Sequence, residues 1–496
     1  MHSTRTAHYE FLRPFKAHMG TNELGFVMYV ERWRIECFAL SEGGRTDSYL
    51  SEEAKGVSIY TTTPRYRPPS SQKTPAARTH EIWHVSYDLG LTGHLKASAF
   101  ELLHARELRE LVREASIELL LVAGAMGGEW VNHAGEKVRN DILQVLESKR
   151  KKLDPPWTVC GRQSKFRYRR HNLELAPDLQ EEKLTLLTED CDQGRVPVLV
   201  IKPADDDEPD ADTDAGAAKQ RPAVIFLHCT GKSKDAMRPC MERFAARGYV
   251  AVAIDSRYHG ERAACGEAYR EALIRAWATG DEMPFIFDTV WDLRKLVDYL
   301  HTRADVDPAR IGMLGISLGG MHCWYAAVAD PRISVVVPII AVQCFGWAVI
   351  NDMWHARVQS IPHVFEAAMV DLGKSAVDAE IVASVWRRIA PGLIDRFDAE
   401  HTIPAIAPRP LLILNGQEDK RCPVRGLETT LSIASEVYKS AGVPENFKFK
   451  AEEGVEHALS DSMLYDASVW MDRHLRPDCV GSQDYVSLPK GSDFHL

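Results

Sequence analysis

From residue 223 onward, short apolar runs alternate with stretches in which apolar residues recur every three or four positions. Apolar runs rich in β-branched residues indicate buried strands, and the second spacing indicates amphipathic helices. The predicted strands are residues 223–227, 250–254, 311–314, 333–340, 411–414 and 447–450. The predicted helices are residues 235–247, 285–301, 321–328 and 460–475. This alternation predicts an α/β fold with a mostly parallel, doubly wound sheet and helices on both faces.

The chain before this alternation has a mixed pattern. The elements predicted there are strands 26–30 and 33–40, a Pro/Ser/Thr-rich loop at 60–78, helices 97–122 and about 136–151, and an antiparallel strand pair at 183–188 and 196–202. Asp154-Pro155-Pro156 breaks the helical pattern, because proline cannot continue a helix. We therefore predict three regions: an N-terminal region of mixed or helical structure and unknown role, a catalytic domain and a C-terminal tail, at residues 1–155, 156–478 and 479–496.

One span interrupts the alternation of strands and helices. Residues 343–407 are many more than a connection between elements needs, and their large apolar residues recur at helical spacings. The span begins at the carboxyl end of a predicted parallel strand, where ligands bind in open α/β sheets. We expect a helical lid whose Phe345, Trp347 and Trp354 line a substrate pocket. The alternative is that these aromatic residues only pack against the main domain.

The sequence Gly315-Ile316-Ser317-Leu318-Gly319 joins a predicted strand to a predicted helix. The Gly-x-Ser-x-Gly pattern in this setting is typical of a nucleophile elbow, a sharp turn that raises a serine hydroxyl above the end of a sheet. Glycine at both flanks gives such a turn the room it needs. The pattern alone is weak, since a strand-to-helix turn with a capping serine has the same composition. The residues that follow decide between the two interpretations.

A serine hydroxyl becomes a useful nucleophile when a base takes its proton and an acid holds the base. After an elbow, the acid and then the histidine follow on loops at the ends of later strands. Asp419 follows the fifth strand predicted after residue 223, and His457 follows the sixth. We therefore predict that Ser317 is the nucleophile, His457 the base and Asp419 the orienting acid. Glu418 is the alternative acid.

Hydrolysis also needs backbone donors for the oxyanion of the tetrahedral intermediate. The N–H of Leu318 is one predicted donor. The other belongs to the loop after the strand 223–227. In that loop we predict the N–H of Cys229 or Thr230 as the second donor, and we assign His228 to the substrate-binding residues.

A further polar loop, residues 255–262, follows the strand 250–254. We expect Arg257 and Glu261 to form an ion pair that braces the oxyanion loop. His259 is an alternative base.

With these motifs in place, residues 180–477 resemble α/β-hydrolases of the dienelactone hydrolase and acetyl-esterase-like branch. The matching stretches are 228–232, 255–262, 315–320, 415–419 and 454–457. The resemblance implies the α/β-hydrolase fold and supports the roles assigned above. Dienelactone hydrolases proper use cysteine where this chain has Ser317, so their substrate is not implied. Cys229 stands where such esterases usually carry glycine, which implies a differently shaped oxyanion loop.

The composition of the chain argues against some classes of binding partner and some cellular locations. The chain has 60 basic and 70 acidic residues among its 496, a net charge of −10 that argues against nucleic acid. No apolar run reaches the roughly 20 residues that span a bilayer. The N-terminus lacks the apolar core of a secretory signal, although its shortage of acidic residues leaves organelle targeting as an alternative.

The ten cysteines are scattered without CxxC pairs, so we predict no metal site, no disulfide framework and a cytoplasmic location. We expect no organic cofactor, and no feature of the sequence sets an oligomeric state.

These features together predict a serine carboxylic-ester hydrolase that acts on a small-molecule acyl ester through an acyl-enzyme. Two alternatives stay open. One is a serine peptidase of the prolyl-oligopeptidase type, and the other is a non-catalytic ligand receptor on the same fold.

Overall fold

The structure is a computed structural model, and it describes residues 25–31, 34–40, 58–62, 82–86, 128–150, 153–168, 178–204 and 220–477. The chain divides into two compact units, Met1–Glu107 and Leu108–Leu496. The described strands of the first unit are β1 (Gly25–Glu31), β2 (Arg34–Leu40), β3 (Ser58–Thr62) and β4 (Ile82–Ser86). They form an antiparallel sheet in the order β2-β1-β4-β3. The first two strands were predicted, and β3 overlaps the start of the predicted loop. The predicted helix 97–122 lies outside the described residues.

The second unit is built on a nine-stranded sheet in the order β13-β12-β11-β10-β8-β9-β7-β6-β5. Its strands are β5 (Thr158–Tyr168), β6 (Leu179–Leu187), β7 (Arg195–Pro203), β8 (Arg221–Leu227), β9 (Val250–Ile254), β10 (Val306–Ile316), β11 (Val335–Ile339), β12 (Leu411–Gly416) and β13 (Phe447–Glu452). Neighbours from β13 to β9 run parallel, and β7, β6 and β5 continue the sheet in antiparallel pairs. The predicted mostly parallel sheet is confirmed.

The described helices lie on both sides of this sheet or in the insertion. They are α1 (Gly128–Glu147), α2 (Arg238–Ala246), α3 (Ala268–Thr279), α4 (Phe287–Leu300), α5 (Leu318–Ala329), α6 (Phe345–Ile350), α7 (His355–Val358), α8 (Pro362–Asp371), α9 (Ala379–Ile389), α10 (Ala399–Thr402), α11 (Glu428–Ser440) and α12 (Asp461–Leu475). In the described ranges, no helix has both the length and the apolar character needed to cross a membrane.

Both faces of the central strands are buried. Along β8, Ala223, Ile225 and Leu227 belong to one hydrophobic cluster, whereas Val224 and Phe226 belong to the other. Successive side chains of a strand point to opposite faces, so each face of the sheet has its own core. This two-sided burial explains the nearly continuous apolar runs in the sequence.

The helix α1 packs on the second unit, although the sequence indicated a boundary after it, near residue 155. Ile142 and Leu146 of α1 are fully buried in the core of that unit. Just after the helix, Arg150 pairs with Asp288 at 2.5 Å. The helix ends at Glu147, before the proline pair, and the chain continues along the same unit.

Candidate active site

The turn between β10 and α5 has the sharp geometry of the predicted elbow. Ser317 has φ 53° and ψ −113°, a conformation that is unfavourable for a residue with a Cβ and has to be held by its surroundings. A Cβ at Gly315 would collide with the Gly319 carbonyl, and a Cβ at Gly319 would collide with the Leu227 carbonyl. Glycine is therefore required at both flanks for the chain to make this turn.

A continuous chain of hydrogen bonds starts at the Ser317 hydroxyl. Ser317 Oγ lies 2.9 Å from Nε2 of His457, and Nδ1 of His457 lies 2.7 Å from Oδ2 of Asp419. The other carboxylate oxygen accepts from the backbone N–H groups of Arg421 at 2.8 Å and Cys422 at 3.0 Å. A carboxylate can only accept, so Nδ1 donates and Nε2 is free to accept from the hydroxyl. The three residues predicted from separate loops thus meet at one edge of the sheet.

The surroundings shift the pKa values of Asp419 and His457, the two titrating groups in this chain of hydrogen bonds. Burial would raise the pKa of Asp419, but the hydrogen bond and charge of His457, with the backbone N–H groups of Cys422 and Arg421, lower this pKa below its usual value. Burial lowers the pKa of His457, and the charges of Arg357 and Arg421 lower this pKa further. The hydrogen bond and charge of Asp419 raise it and so oppose the other effects. Near neutral pH the carboxylate is therefore ionised and the imidazole is neutral and able to accept a proton.

The loops that carry the acid and the histidine are bonded to each other. The N–H of Glu418 donates to the Val455 carbonyl at 3.0 Å. A Cβ at Gly416 would collide with that carbonyl, so the close approach requires glycine. Glu418 points into solvent, whereas Asp419 is buried against His457. The geometry therefore favours Asp419 over the alternative acid.

The loop after β8 lies directly against the elbow, since the carbonyls of Leu227 and His228 border the Cα of Gly319. This places the segment of Cys229 and Thr230 beside the first turn of α5, although no bound group marks the donor. The position of His228 does not fit its predicted role as a substrate-binding residue. Its ring is fully buried, with Nδ1 donating to the Cys229 carbonyl at 2.8 Å and Nε2 accepting from the N–H of Ser256 at 3.0 Å.

Both ring nitrogens of His228 are therefore occupied. This residue joins the loops after β8 and β9 and has no exposed surface that could line a pocket.

The expected pair between Arg257 and Glu261 does not form. Arg257 turns toward α4 and bonds Asp292 at 3.0 Å, whereas Glu261 pairs with Lys234. Lys234 also bonds Asp255 at 2.9 Å. The loop after β8 is thus braced by Lys234, because the short helical turn at 260–262 separates the two residues that were expected to meet.

His259, the alternative base, is buried away from the serine. Its Nδ1 donates to the Arg257 carbonyl at 2.9 Å. Burial, together with neighbouring His228, lowers its pKa to about 4.

The insertion between β11 and β12 consists of α6 to α10, which confirms its helical character. Two of its three pocket residues were assigned wrongly. Phe345 is only 2% exposed and packs edge-on against Trp386, and Trp354 is 7% exposed in the same core cluster. Their rings fill the core instead of lining a pocket, which is the alternative that the sequence left open. Trp347 is half-buried.

The insertion reaches the site through a residue that the sequence did not reveal. Arg357, on α7, is buried and its Nη2 lies 3.2 Å from Sγ of Cys422. In the amide orientation that satisfies both partners, Gln343 accepts from Nε of Arg357 at 3.0 Å and donates to the Arg421 carbonyl at 2.5 Å. An isolated arginine in a four-residue helix has no motif that could identify it. Only the folded insertion brings it beside His457.

The ligating atoms of Asp419, Cys422 and His457 lie within 4.8 Å of one another, the one such group among the described residues. A metal ion there would have to displace the hydrogen bond between Asp419 and His457. It would also lie beside the positive charges of Arg357 and Arg421, which repel a cation. The residues present do not favour a metal at this position.

Residues 222–366 match the family described as alpha/beta hydrolase fold. The protein named "Putative hydrolase YtaP" of Bacillus subtilis (strain 168) is 25% identical over 240 residues, which cover 46% of this chain and 70% of that protein. "Putative esterase YitV" of the same organism is 22% identical over 254 residues, or 51% of this chain and 89% of that protein. Two other curated relatives, YcjY of Escherichia coli (strain K12) and YfhR of Salmonella typhi, are matched over 47% and 65% of their own lengths.

Among solved structures, acetyl xylan esterase 1 from Thermoanaerobacterium sp. JW/SL YS485 is 16% identical, with a TM-score of 0.44 over 68% of this chain and 92% of that chain. The sheet order, the elbow between β10 and α5, and the matched family agree with one another. The second unit of this chain therefore has the α/β-hydrolase fold.

Proposed function

We propose that this protein is a serine carboxylic-ester hydrolase. The observation that carries the proposal is the unbroken chain of hydrogen bonds from Ser317 Oγ through His457 to Asp419, with the serine held at a positive φ. A serine without such a base is a poor nucleophile, and a structural serine has no need of a strained backbone.

In the proposed reaction, Ser317 Oγ attacks the carbonyl carbon of the ester while Nε2 of His457 takes the hydroxyl proton. Asp419 stabilises the imidazolium, and the oxyanion accepts hydrogen bonds from the N–H of Leu318 and from Cys229 or Thr230. The intermediate collapses, the alcohol leaves with the proton from Nε2, and the acyl group stays on the serine. Water then repeats the sequence and releases the carboxylic acid.

The proposal also rests on the relatives. One is named as a hydrolase and another as an esterase. Residues 180–477 resemble the dienelactone hydrolase and acetyl-esterase-like branch, which fits a small to medium acyl substrate. We assign residues 156–478 as the catalytic domain and 343–407 as its lid. The proposal keeps the predicted cytoplasmic location, where thiols stay reduced, and cell fractionation tests it.

The test is hydrolysis of p-nitrophenyl acetate, butyrate and octanoate by wild type and Ser317→Ala. Wild type hydrolyses at least one of these esters, and the variant loses about 10³-fold or more of kcat/KM, because the nucleophile is gone. Ser334→Ala is the matched control. Its hydroxyl donates to the Ile311 carbonyl, away from the elbow, so its activity stays within threefold of wild type.

Activity that persists in Ser317→Ala contradicts the mechanism. Turnover of peptides but not of esters favours the peptidase. Absence of both turnover and labelling by a fluorophosphonate favours the receptor.

A further inference from the structure

Of the four arginines that are buried in the described part of the chain, three have carboxylate partners. Among the described residues, Arg247, Arg257 and Arg262 are buried and each lies within 4.0 Å of an aspartate oxygen. Arg357 is equally buried, at 5% exposure, and has no acidic partner among the described residues. A buried charge is costly unless it is paired, so an unpaired one beside an active site calls for a functional explanation.

The partners that Arg357 does have leave part of its guanidinium unused. Nε and Nη2 are bonded to the Gln343 amide oxygen, and Nη2 also contacts Sγ of Cys422. Within the described part of the chain, Nη1 has no hydrogen-bond partner. The carboxylate of the same segment, Asp419, is already occupied by His457 and two backbone N–H groups.

A second arginine lies next to the first. The side chain of Arg421 is half-buried, and no carboxylate pairs with it in the described ranges. Burial and the positive charge of Arg357 lower the pKa of Arg421, whereas the charge of Asp419 opposes this effect. Both also act on His457. An anion held by both would offset their two positive charges close to His457, the base of the proposed triad.

We propose that Arg357, assisted by Arg421, binds a carboxylate carried by the ester substrate, so that the enzyme prefers anionic esters to neutral ones. This inference rests on the proposed hydrolase function and names its substrate class. A hydrogen bond from an arginine N–H to a carboxylate oxygen joins two charged groups and is about twice as strong as one between neutral groups. Gln343 holds Nε and Nη2 from one side, which orients the guanidinium and leaves Nη1 for the ligand.

The first test uses wild-type protein and does not depend on any variant folding. The kcat/KM for p-nitrophenyl hydrogen adipate is compared with that for p-nitrophenyl hexanoate, which has the same acyl length without the charge. A second pair, p-acetoxybenzoate and phenyl acetate, places the carboxylate on the leaving group instead. We expect a tenfold or greater preference for the anionic member of one pair, which also identifies the side of the ester that faces Arg357.

The second test removes the charge. Arg357→Met should reduce the preference at least tenfold, equivalent to about 1.4 kcal/mol, through a higher KM for the anionic ester, when both esters are compared at a pH on the plateau of the pH–rate profile. Arg421→Gln should reduce it by a smaller factor. Arg387→Met is the matched control, since Arg387 lies on α9 of the same insertion and pairs with Asp395 at the surface. The preference of the Arg387→Met variant for anionic over neutral esters stays that of wild type.

Equal kcat/KM for both members of each pair in wild type overturns the inference. It is also overturned if Arg357→Met lowers activity toward neutral and anionic esters by the same factor. Failure of the proposed function looks different, because then no ester is turned over and a fluorophosphonate leaves Ser317 unlabelled.

Discussion

His457 lies between one negative and two positive charges. Asp419 raises its pKa, whereas burial and the arginines Arg357 and Arg421 lower it. The net shift is downward from the usual value of about 6.5. Because its pKa is lowered, His457 stays neutral in mildly acidic solution. The insertion contributes to the lowered pKa through the positive charge of Arg357.

The first prediction concerns the pH dependence of hydrolysis. Only neutral His457 accepts the serine proton, so kcat/KM for a neutral ester rises with pH and reaches its plateau after a midpoint below 6.5. Removing the positive charge in Arg357→Met removes a cause of the lowered pKa, and the midpoint moves to higher pH. The pH–rate profile of p-nitrophenyl butyrate measures both. An unmoved midpoint in Arg357→Met, equal to that of Arg387→Met, contradicts this electrostatic account.

At the level of single residues, the sequence could reveal the serine, the acid and the histidine but not the arginines. Ser317, Asp419 and His457 each follow a strand of a parallel sheet, and the strand order of the fold brings those ends together. Arg357 lies in an insertion whose path depends on packing of aromatic side chains. Phe345 and Trp354 were misassigned for the same reason, because helical spacing indicates burial but not the direction in which a ring points.

The elbow is the element on which the site depends, and it works by close packing of backbone against backbone. α5 starts immediately after Ser317, and its first turn touches the end of β8 through Gly319. The same contact holds the loop after β8, which carries the proposed oxyanion donors, beside Ser317. A change in this contact therefore affects stability and activity together.

Gly319→Ala is predicted to lower the free energy of unfolding by about 1–3 kcal/mol, because its Cβ would collide with the Leu227 carbonyl. Ester hydrolysis should fall with it, since the loop after β8 is pushed from the elbow. Gly266→Ala is the control, as its Cβ meets no atom within 4 Å, and we expect a change within about 0.5 kcal/mol. Urea unfolding and ester kinetics provide the two measurements. Equal stability of the two variants would contradict the packing argument.

Buried strands with continuous apolar runs were predicted, and a helix whose buried face is built from small residues was not. β9 and β11 are entirely buried, and their apolar runs with β-branched residues predicted them as strands. α3 was not predicted, because its buried face is built from Ala268, Ala272 and Ala276 with Leu273. Alanine leaves almost no periodic signal, although it packs closely. The edge strand β5 was missed as well, since its sequence is mostly polar.

At the scale of the whole molecule, a buried ionic network joins the segment just after α1 to α4 and to the loop after β6. Arg150 bonds Asp288 at 2.5 Å and Glu189 at 3.3 Å, and Glu189 in turn bonds Arg257 at 2.8 Å. Arg257 reaches Asp292 at 3.0 Å. This network explains why residues on the N-terminal side of the predicted boundary belong to the same compact unit.

Arg150→Met is predicted to cost about 3–5 kcal/mol of unfolding free energy, because it leaves the buried Asp288 carboxylate without its cation. Lys137→Met on α1, the helix that precedes Arg150, is the control. Its pair with Asp141 is partly exposed at 2.9 Å, so its loss should change stability by at most about 1 kcal/mol. Both are measured by urea unfolding. A cost below 1 kcal/mol for Arg150→Met would show that the network does not hold α1 in place.

The central claim is that Ser317 is an activated nucleophile, and covalent labelling tests it most directly. The purified chain is incubated with a fluorophosphonate, and the modified residue is located by intact mass and peptide mapping. We predict a single adduct on the peptide that contains Ser317, absent in Ser317→Ala and formed much more slowly in Asp419→Asn. An adduct that persists in Ser317→Ala, or wild-type protein that takes up no label, would contradict the account.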